Sequence, residues 1–384
     1  MPNNNILFIT TFNPYLQVNG AYQRTYHLFN ALKQYGNVDI LFFNTNNERI
    51  KTENSNMFTY DIKLKCTLQT RISSYIHFYT PAIIMTTDSQ CHRIYQKTIQ
   101  QKKYDLIVCR YIYTAIMCGI KDYSNVVIDV DDLPWYHHFH NSKNHAYSWI
   151  RRLFFLFKYK AIKKQSLKIM SKCKLCYTAN PQDCLTSNAL YLPNIPSIFA
   201  NENYLPQPNK NILFVGFMGY PPNYQGIDYF IQNIWNKVYP YHTDSSFYIA
   251  GKGTPQTLKV KWEKNPNVHV LGYVNNLEEL YKECCIAVVP IYSGAGTNIK
   301  VLEALAMKKI CVVSQFATKG FDQHFSHGKD ILVAKTDNEY IQYLIEVLNT
   351  PEKFISIATQ GYYSILNNYT KDNILTIIKK TLFQ

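Results

Sequence analysis

The stretch CIAVVPIYSGAGTNIKVLEALAMKKICVVS, residues 285–314, decides the fold class. Its first run, IAVVP, is short and continuously apolar, which is how a strand buried on both faces reads. A loop built on Gly294 and Gly296 follows, then a helical pattern from about Asn298, then a second apolar run, ICVVS. Strand, glycine loop, helix and strand make the repeating unit of a parallel sheet covered by helices.

The same alternation runs outward in both directions. NNILFITTF, VDILFF, YDLIVCR, NVVIDVDD and LCYTA come before a stretch rich in Pro and Asn, LPNIPSIFANENYLPQPNK; KNILFVGF, SSFYIAGKG, VHVLGY, CIAVVP and KICVVSQF come after it. At 384 residues the chain exceeds a typical single core, so two doubly wound α/β domains are expected. The boundaries expected are 1–195 for the first domain, 196–210 for a linker, 211–365 for the second domain and 366–384 for a last helix.

Composition narrows the function classes. An apolar fraction of 47% with 17% charged residues describes a globular chain. No apolar run reaches the roughly 20 residues that span a bilayer. The start, MPNNNILFIT, has neither a basic region nor a small-residue cleavage site, so a cytoplasmic location is expected. The ten cysteines are scattered, and only Cys173 and Cys176 form a C-x-x-C; without a matching second pair no zinc site is expected. The net charge of +14 divides unevenly: residues 1–200 hold 23 Lys and Arg against 11 Asp and Glu, and residues 201–384 hold 17 against 15. With the second half near neutral and no recognised module present, a nucleic-acid partner is not expected.

In open parallel sheets, ligands lie beyond the carboxyl ends of the strands. In the first half those positions hold Gly20, Arg110, Asp129, Asp131 and Asp132; in the second they hold Gly216, Gly251, Gly253, Gly272 and the loop Gly294, Ala295, Gly296, Thr297. Glycines let a ligand approach the main chain. The helix starting near Asn298 offers its positive end to phosphate, and Lys300 adds a point charge. Glu303 cannot bind phosphate, but a carboxylate suits the two hydroxyls of a ribose. Together they describe a nucleoside diphosphate site. The plainer alternative leaves Glu303 to balance the helix end and Lys300 on a solvated face.

These residues carry a resemblance. FVGFMGYPPNYQGIDYFIQNIW, YIAGKG, VHVLGYVNNLEELY, the stretch 285–314 and TKGFD resemble the C-terminal domain of glycosyltransferase family 4, in the branch that makes bacterial surface polysaccharides. NGAYQRTYHLFNALKQYGNVDILFF, VIDVDD, YTANPQD and LPN are similar to its N-terminal domain. The resemblance implies a GT-B fold: two Rossmann-like domains facing across a cleft, with a C-terminal helix crossing back to the first. It implies a retaining transfer from a UDP- or GDP-sugar to a polyprenyl-linked or other glycan acceptor, with no cofactor and no metal. By it, Glu303 binds the ribose, Gly294–Thr297, Asn298 and Lys300 face the phosphates and sugar, and the backbone at Gly272, Tyr273 and Val274 holds the base. Gly20 brings the first-domain loop over the donor, and Asp131 is expected to position the acceptor. The loops Phe12–Gly20 and Ile72–Gln90 are expected to choose it.

The chain departs from the family in three places. Ala295 stands where many members carry a second Glu, and Asn298 stands where the branch often has Arg. The loop GFMGYPPNYQG lacks the Arg and Lys of many relatives, which leaves Arg24 and Arg110 as the cations expected to compensate. A nucleotide-sugar epimerase on the same fold, or a catalytically weak nucleotide-binding subunit, are the alternative readings.

RRLFFLFKYKAIKKQSLKIMSKCK, residues 151–174, has nine Lys and Arg and no acid. Lys160, Lys164, Lys168 and Lys172 recur every fourth position, so they form one helical stripe. Two readings stay open: a helix lying on anionic lipid, peripheral to a membrane, or a domain helix with its apolar face in the core.

Overall fold

The structure, a computed structural model, describes residues 4–17, 19–45, 56–62, 90–145, 147–294, 296–321 and 323–383. Ala295 and residues 72–89 of the expected acceptor loop lie outside them. The chain forms two compact units, one of residues 1–193 with 374–384, the other of residues 194–373.

The first unit is built on β1 (Asn4–Thr10), β2 (Gly36–Asn44), β3 (Met57–Asp61), β4 (Leu106–Arg110), β5 (Val126–Asp131), β6 (Leu175–Thr178) and β7 (Leu190–Tyr191). They pair in parallel in the order β3-β2-β1-β4-β5-β6-β7. Ile6, Leu7, Phe8 and Ile9 of β1 are fully buried, because both faces of a central parallel strand lie under helices. Those helices are α1 (Gly20–Leu32), α2 (Gln90–Gln101), α3 (Ile112–Met117), α4 (Tyr136–Lys143), α5 (Trp149–Met170) and α6 (Pro181–Ser187).

The second unit holds β8 (Asn211–Val215), β9 (Ser246–Ala250), β10 (Val268–Gly272), β11 (Ile286–Val289), β12 (Ile310–Ser314) and β13 (Leu332–Ala334). Their order is β10-β9-β8-β11-β12-β13, again all parallel. The covering helices are α7 (Pro221–Phe230), α8 (Gln256–Glu263), α9 (Leu277–Glu283), α10 (Ile299–Ala306), α11 (Asp337–Asn349) and α12 (Ile355–Asn368). Val301, Leu302 and Leu305 turn the apolar face of α10 into the core, where Trp235 and Trp262 are also fully buried. Counted from its own first strand, each sheet follows the doubly wound order 3-2-1-4-5-6, which β7 extends by one strand in the first; the switch points are β1/β4 and β8/β11.

Two boundaries differ from the sequence expectation. Residues 196–210 are not a loose linker; they belong to the second unit. Ile195 and Ala200 are buried. Lys308 Nζ donates to the carbonyls of Glu202 (2.8 Å) and Tyr204 (3.0 Å), and Lys309 Nζ donates to the Tyr204 hydroxyl and the Cys284 carbonyl, both at 2.9 Å. Pro and Asn remove helix and strand from this stretch, but they do not stop lysines from capturing its carbonyls. The last helix, α13 (Lys371–Leu382), starts later than residue 366, and from Ile374 on it belongs to the first unit. There the Tyr35 hydroxyl donates to the Leu375 carbonyl (3.1 Å), Tyr35 stacks on Phe383 at 4.8 Å, and the hydroxyls of Tyr177 and Thr381 pair.

Candidate active site

In the second unit the strand ends are furnished with main chain. The Gly216 N–H donates to the Ala250 carbonyl (3.0 Å), the Gly251 N–H to the Gly272 carbonyl (2.7 Å), and the Met218 N–H to the Lys252 carbonyl (2.7 Å). The loops after β8, β9 and β10 are therefore laced together. Gly251 has φ +142°, and a Cβ there would stand 1.7 Å from the Gly216 carbonyl oxygen, so only glycine fits. Gly272, at φ +68°, faces open space instead, with nothing within 4 Å of a Cβ.

The loop after β11 completes this row. Gly294 has φ +130°, and a Cβ on it would meet the Tyr220 hydroxyl at 3.2 Å, so the loops at the β8/β11 switch point touch. The Ser314 hydroxyl at the end of β12 donates to the Ile291 carbonyl and holds the loop's base. Thr297 Oγ1 accepts from the Asn194 amide (2.7 Å). Asn298, the residue before α10, places its side chain away from the helix end: its amide donates to the Ala317 carbonyl (3.3 Å), and its Oδ1 accepts from Lys300 Nζ (3.2 Å). The Asn298 side chain makes no capping bond at the start of α10. The positive end of that helix is left to the loop in front of it.

Lys300 and Glu303 lie three residues apart and so share one face of α10. Burial lowers the Lys300 ammonium to about 8, with Glu303 drawing it partly back up. Glu303 is only 6% exposed, a heavy cost for a carboxylate whose sole task is to balance a helix end. It sits beyond the first turn of α10, beside the buried Tyr281, whose hydroxyl is held well above its ordinary value by burial and by this carboxylate. The sequence reading missed one cation: Lys252, exposed at the end of β9, lies with its Nζ 4.2 Å from the ring centroid of the exposed Tyr273. The tripeptide GKG was the available signal.

In the first unit the strand ends carry charge. Arg24 from α1 grips Asp129 with Nε and Nη2 at 2.6–3.1 Å and gives Nη1 to the Leu192 carbonyl (2.8 Å). Arg110, with no exposed surface, donates to Asp131 (2.6 Å) and Thr25 Oγ1 (3.1 Å) and lies 3.1 Å from Asp129. Burial would lower both guanidinium pKa values, but the neighbouring charges more than offset it and hold both above the ordinary value. Asp131 is the mirror case: burial pushes up, and Arg110 and Arg24 pull it below the carboxylate range. Arg24 and Arg110, the cations expected to compensate at the donor phosphates, are engaged by Asp129 and Asp131 at the strand ends.

Backbone strain gathers at the same place. Tyr111 follows β4 at φ +71°, and Asp131 ends β5 at φ +63° within a register shift against β6. Such residues persist only where their surroundings over-determine them, and they cluster at functional sites. The Tyr111 ring lies under the Arg110 guanidinium at 4.0 Å and stacks on Tyr113 at 5.2 Å. Next along the chain, Asp132 is half-buried, and its enclosed Oδ1 has no hydrogen-bond partner among the described residues. Burial, Asp131 and Asp183 push it up to about 8, against the pull of Arg24 and Arg110. Gly20 opens α1 behind Asn19, whose Oδ1 accepts from the N–H groups of Ala21 (3.1 Å) and Tyr22 (3.4 Å), so that helix start already has a partner. The Cys173 and Cys176 thiols donate to the carbonyls of Ile169 and Met170 at the end of α5.

Comparison with known proteins bears on the fold and on the second unit. Residues 209–350 match the family model described as Glycosyl transferases group 1. A 44.6 kDa protein of the cps region of Klebsiella pneumoniae is 24% identical over 293 residues, 73% of this chain and 74% of the relative. Among solved structures, TarM of S. aureus superposes with a TM-score of 0.70 at 12% identity over 99% of each chain. WaaG, a glycosyltransferase involved in lipopolysaccharide biosynthesis, gives 0.65 at 11% over 99% of this chain and 100% of its own. HepE of Anabaena, solved in complex with UDP and glucose, gives 0.63 at 12% over 99% of each. The solved structures show the fold to be GT-B, and residues 209–350 of the second unit match a glycosyltransferase domain, a family of transferases.

Proposed function

We propose that the protein moves a sugar from a nucleoside diphosphate-sugar to a hydroxyl of a bacterial surface glycan under construction, with retention at the transferred carbon. One observation carries this reading: Lys300 and the buried Glu303 share a face of α10, directly behind the glycine loop of the β8/β11 switch point. In it, Glu303 accepts from the ribose hydroxyls, and the loop N–H groups, the start of α10 and Lys300 meet the diphosphate. Gly272, Tyr273 and Val274 present main chain to the base, and Lys252 supplies a cation that the loop after β8 lacks. UDP is the leading nucleotide, since HepE was solved with it.

The step itself breaks the bond between sugar C1 and the diphosphate oxygen and forms a bond from C1 to the acceptor oxygen on the same face. The acceptor's proton passes to the departing phosphate. Preorganised donors favour the charge that develops on that phosphate, and losing one typically costs about 3–4 kcal/mol of barrier. No metal is required in this scheme. Arg110 and Asp131 act by holding the rim of the first unit, where the aromatic rings of Tyr111 and Tyr113 suit an acceptor sugar. The cps-region relative and WaaG support a surface-glycan acceptor; in this reading it is lipid-linked and met at the cytoplasmic face.

The test is thermal stabilisation by UDP, GDP, ADP and CMP, on the wild type and on Glu303→Gln. A ligand at a hundred times its Kd adds about 2.7 kcal/mol of stability. One diphosphate should raise the melting temperature of the wild type, and the substitution should remove most of that rise. Stabilisation unchanged in Glu303→Gln, or none by any diphosphate at millimolar concentration, rejects the site.

A further inference from the structure

Between Asp132 and Asp183 the chain holds ten Lys and Arg, Lys143 and the nine of residues 151–174, and no acid. Most of that span forms α4 and α5, which pack on each other, so neither helix offers the other a carboxylate. The structure sorts the charges of α5. Lys158 is turned inward, in line with Ile162, Ser166 and Met170, and burial lowers its pKa. Arg152 folds onto the Ser142 carbonyl at 3.1 Å. Lys160, Lys164 and Lys168 are exposed, with Lys172 just past the helix end.

The outward face of α5 is not uniformly basic. Ile150, Leu153, Phe157, Lys160, Lys164 and Lys168 follow one another in steps of three and four, so they form a single stripe. Its first half is apolar and open to solvent: Trp149 is 69% exposed, Ile150 63%, Leu153 43% and Phe157 55%. Its second half is lysine. The polarity therefore changes along the helix rather than around it. Four large apolar side chains, each more than 40% exposed, make a patch next to a row of like charges, the kind of surface that marks an interaction site.

We propose that α5 is a membrane-docking helix: Trp149, Ile150, Leu153 and Phe157 enter the headgroup boundary of an anionic bilayer while Lys160, Lys164, Lys168 and Lys172 lie on its phosphates. An anionic bilayer supplies an apolar layer and a sheet of negative charge side by side, which matches both halves of the stripe. A second copy of the chain matches neither. Parallel pairing sets lysine against lysine, and antiparallel pairing sets lysine against the apolar patch. No helix among the described residues is long and apolar enough to cross a membrane, so docking rests on one surface stripe. The inference stands apart from the proposed chemistry, because it uses no residue of the candidate active site.

Trp149 makes the test direct. Of the four tryptophans it alone is exposed; Trp135, Trp235 and Trp262 are buried. The full-length protein is mixed with vesicles of phosphatidylcholine alone, or of phosphatidylcholine with phosphatidylglycerol, at low and high salt. Binding is read by co-sedimentation, and insertion by Trp emission with acyl-chain-brominated lipid as quencher. On anionic vesicles the protein should sediment, its emission should shift to the blue, and bromine should quench it; Trp149→Phe should lose the optical signal and keep the sedimentation. Each lysine lost weakens binding about fivefold, so Lys160→Glu with Lys164→Glu and Lys168→Glu should cost more than a hundredfold. Leu153→Glu with Phe157→Glu should abolish quenching and leave a residual, salt-sensitive attachment. All five positions are exposed, so these variants should keep the wild-type melting temperature. Equal binding to neutral vesicles, sedimentation without quenching, or no sedimentation overturns the proposal. So does a dimer in light scattering that Phe157→Glu dissolves, since the stripe would then be covered by a second copy.

Discussion

The two sheets share one strand order, yet their carboxyl ends are furnished in opposite ways. In the first unit, the ends of β4 and β5 are built from Arg110, Asp129 and Asp131 with Arg24 clamped over them, and the charges face one another. In the second, the ends of β8, β9 and β10 are built from Gly216, Gly251 and Gly272, and backbone faces backbone. Charges paired with one another fix the rim of the first unit, whereas main-chain hydrogen bonds between glycine loops fix that of the second. In the proposed function the same topology serves as a platform in one half and as a receptor in the other.

The largest effect expected lies in the receptor. Gly251→Ala drives a methyl group into the Gly216 carbonyl and should cost more than about 4 kcal/mol, with little folded protein recovered. Gly272→Ala, with positive φ but open space, should cost about 1 kcal/mol in urea unfolding. Equal costs at the two positions would mean that the lacing of the loops is not what the first glycine provides.

The platform comes next. Arg110→Met leaves Asp129 and Asp131 buried with half their partners, and breaking such a buried pair costs about 3–5 kcal/mol. Replacing Lys300, which sits on the receptor side, with Met should leave stability within about 1 kcal/mol of wild type and weaken diphosphate binding instead. If Arg110→Met unfolds no more easily than Lys300→Met, the contrast between the halves fails.

The smallest effect concerns pH. Asp132 keeps its proton in the folded state up to about 8, while the unfolded chain releases it near 4. Stability from this group is thus fully present below pH 4 and lost as pH rises towards 8. Asp132→Asn should match wild type at pH 4 and exceed it by on the order of 2 kcal/mol at pH 9. A constant difference at both values would show that Asp132 does not titrate between them.

Much of this was legible in the sequence, for definite reasons. The strands of both sheets read as apolar runs because helices cover both faces, and the glycines of the second unit stood out because they follow those runs. Glu303 could be picked out as the single acid on the apolar helix of residues 299–306. Long-range capture was not legible. Arg24 and Asp129 are 105 residues apart, and no local pattern says that they meet. Lys308 and Lys309 carry no local signal beyond following α10, yet their side chains fasten the stretch around Tyr204. The nine basic residues of 151–174 gave the stripe, but only the fold shows that Lys158 faces inward and that Phe157 faces out.

One feature of the first unit bears on how the chain is made. Its surface is closed by α13, where Ile378 is fully buried and Phe383 stacks on Tyr35. A ribosome releases the whole second unit before those residues emerge. The half that begins synthesis first is therefore the half that finishes folding last, and until then the site of Tyr35 and Tyr177 is exposed. Domains on growing chains usually complete in order from the N-terminus. Here that order is reversed at the final step: a chain truncated after residue 373 and released should yield a protease-resistant second unit and a first unit that is still cut.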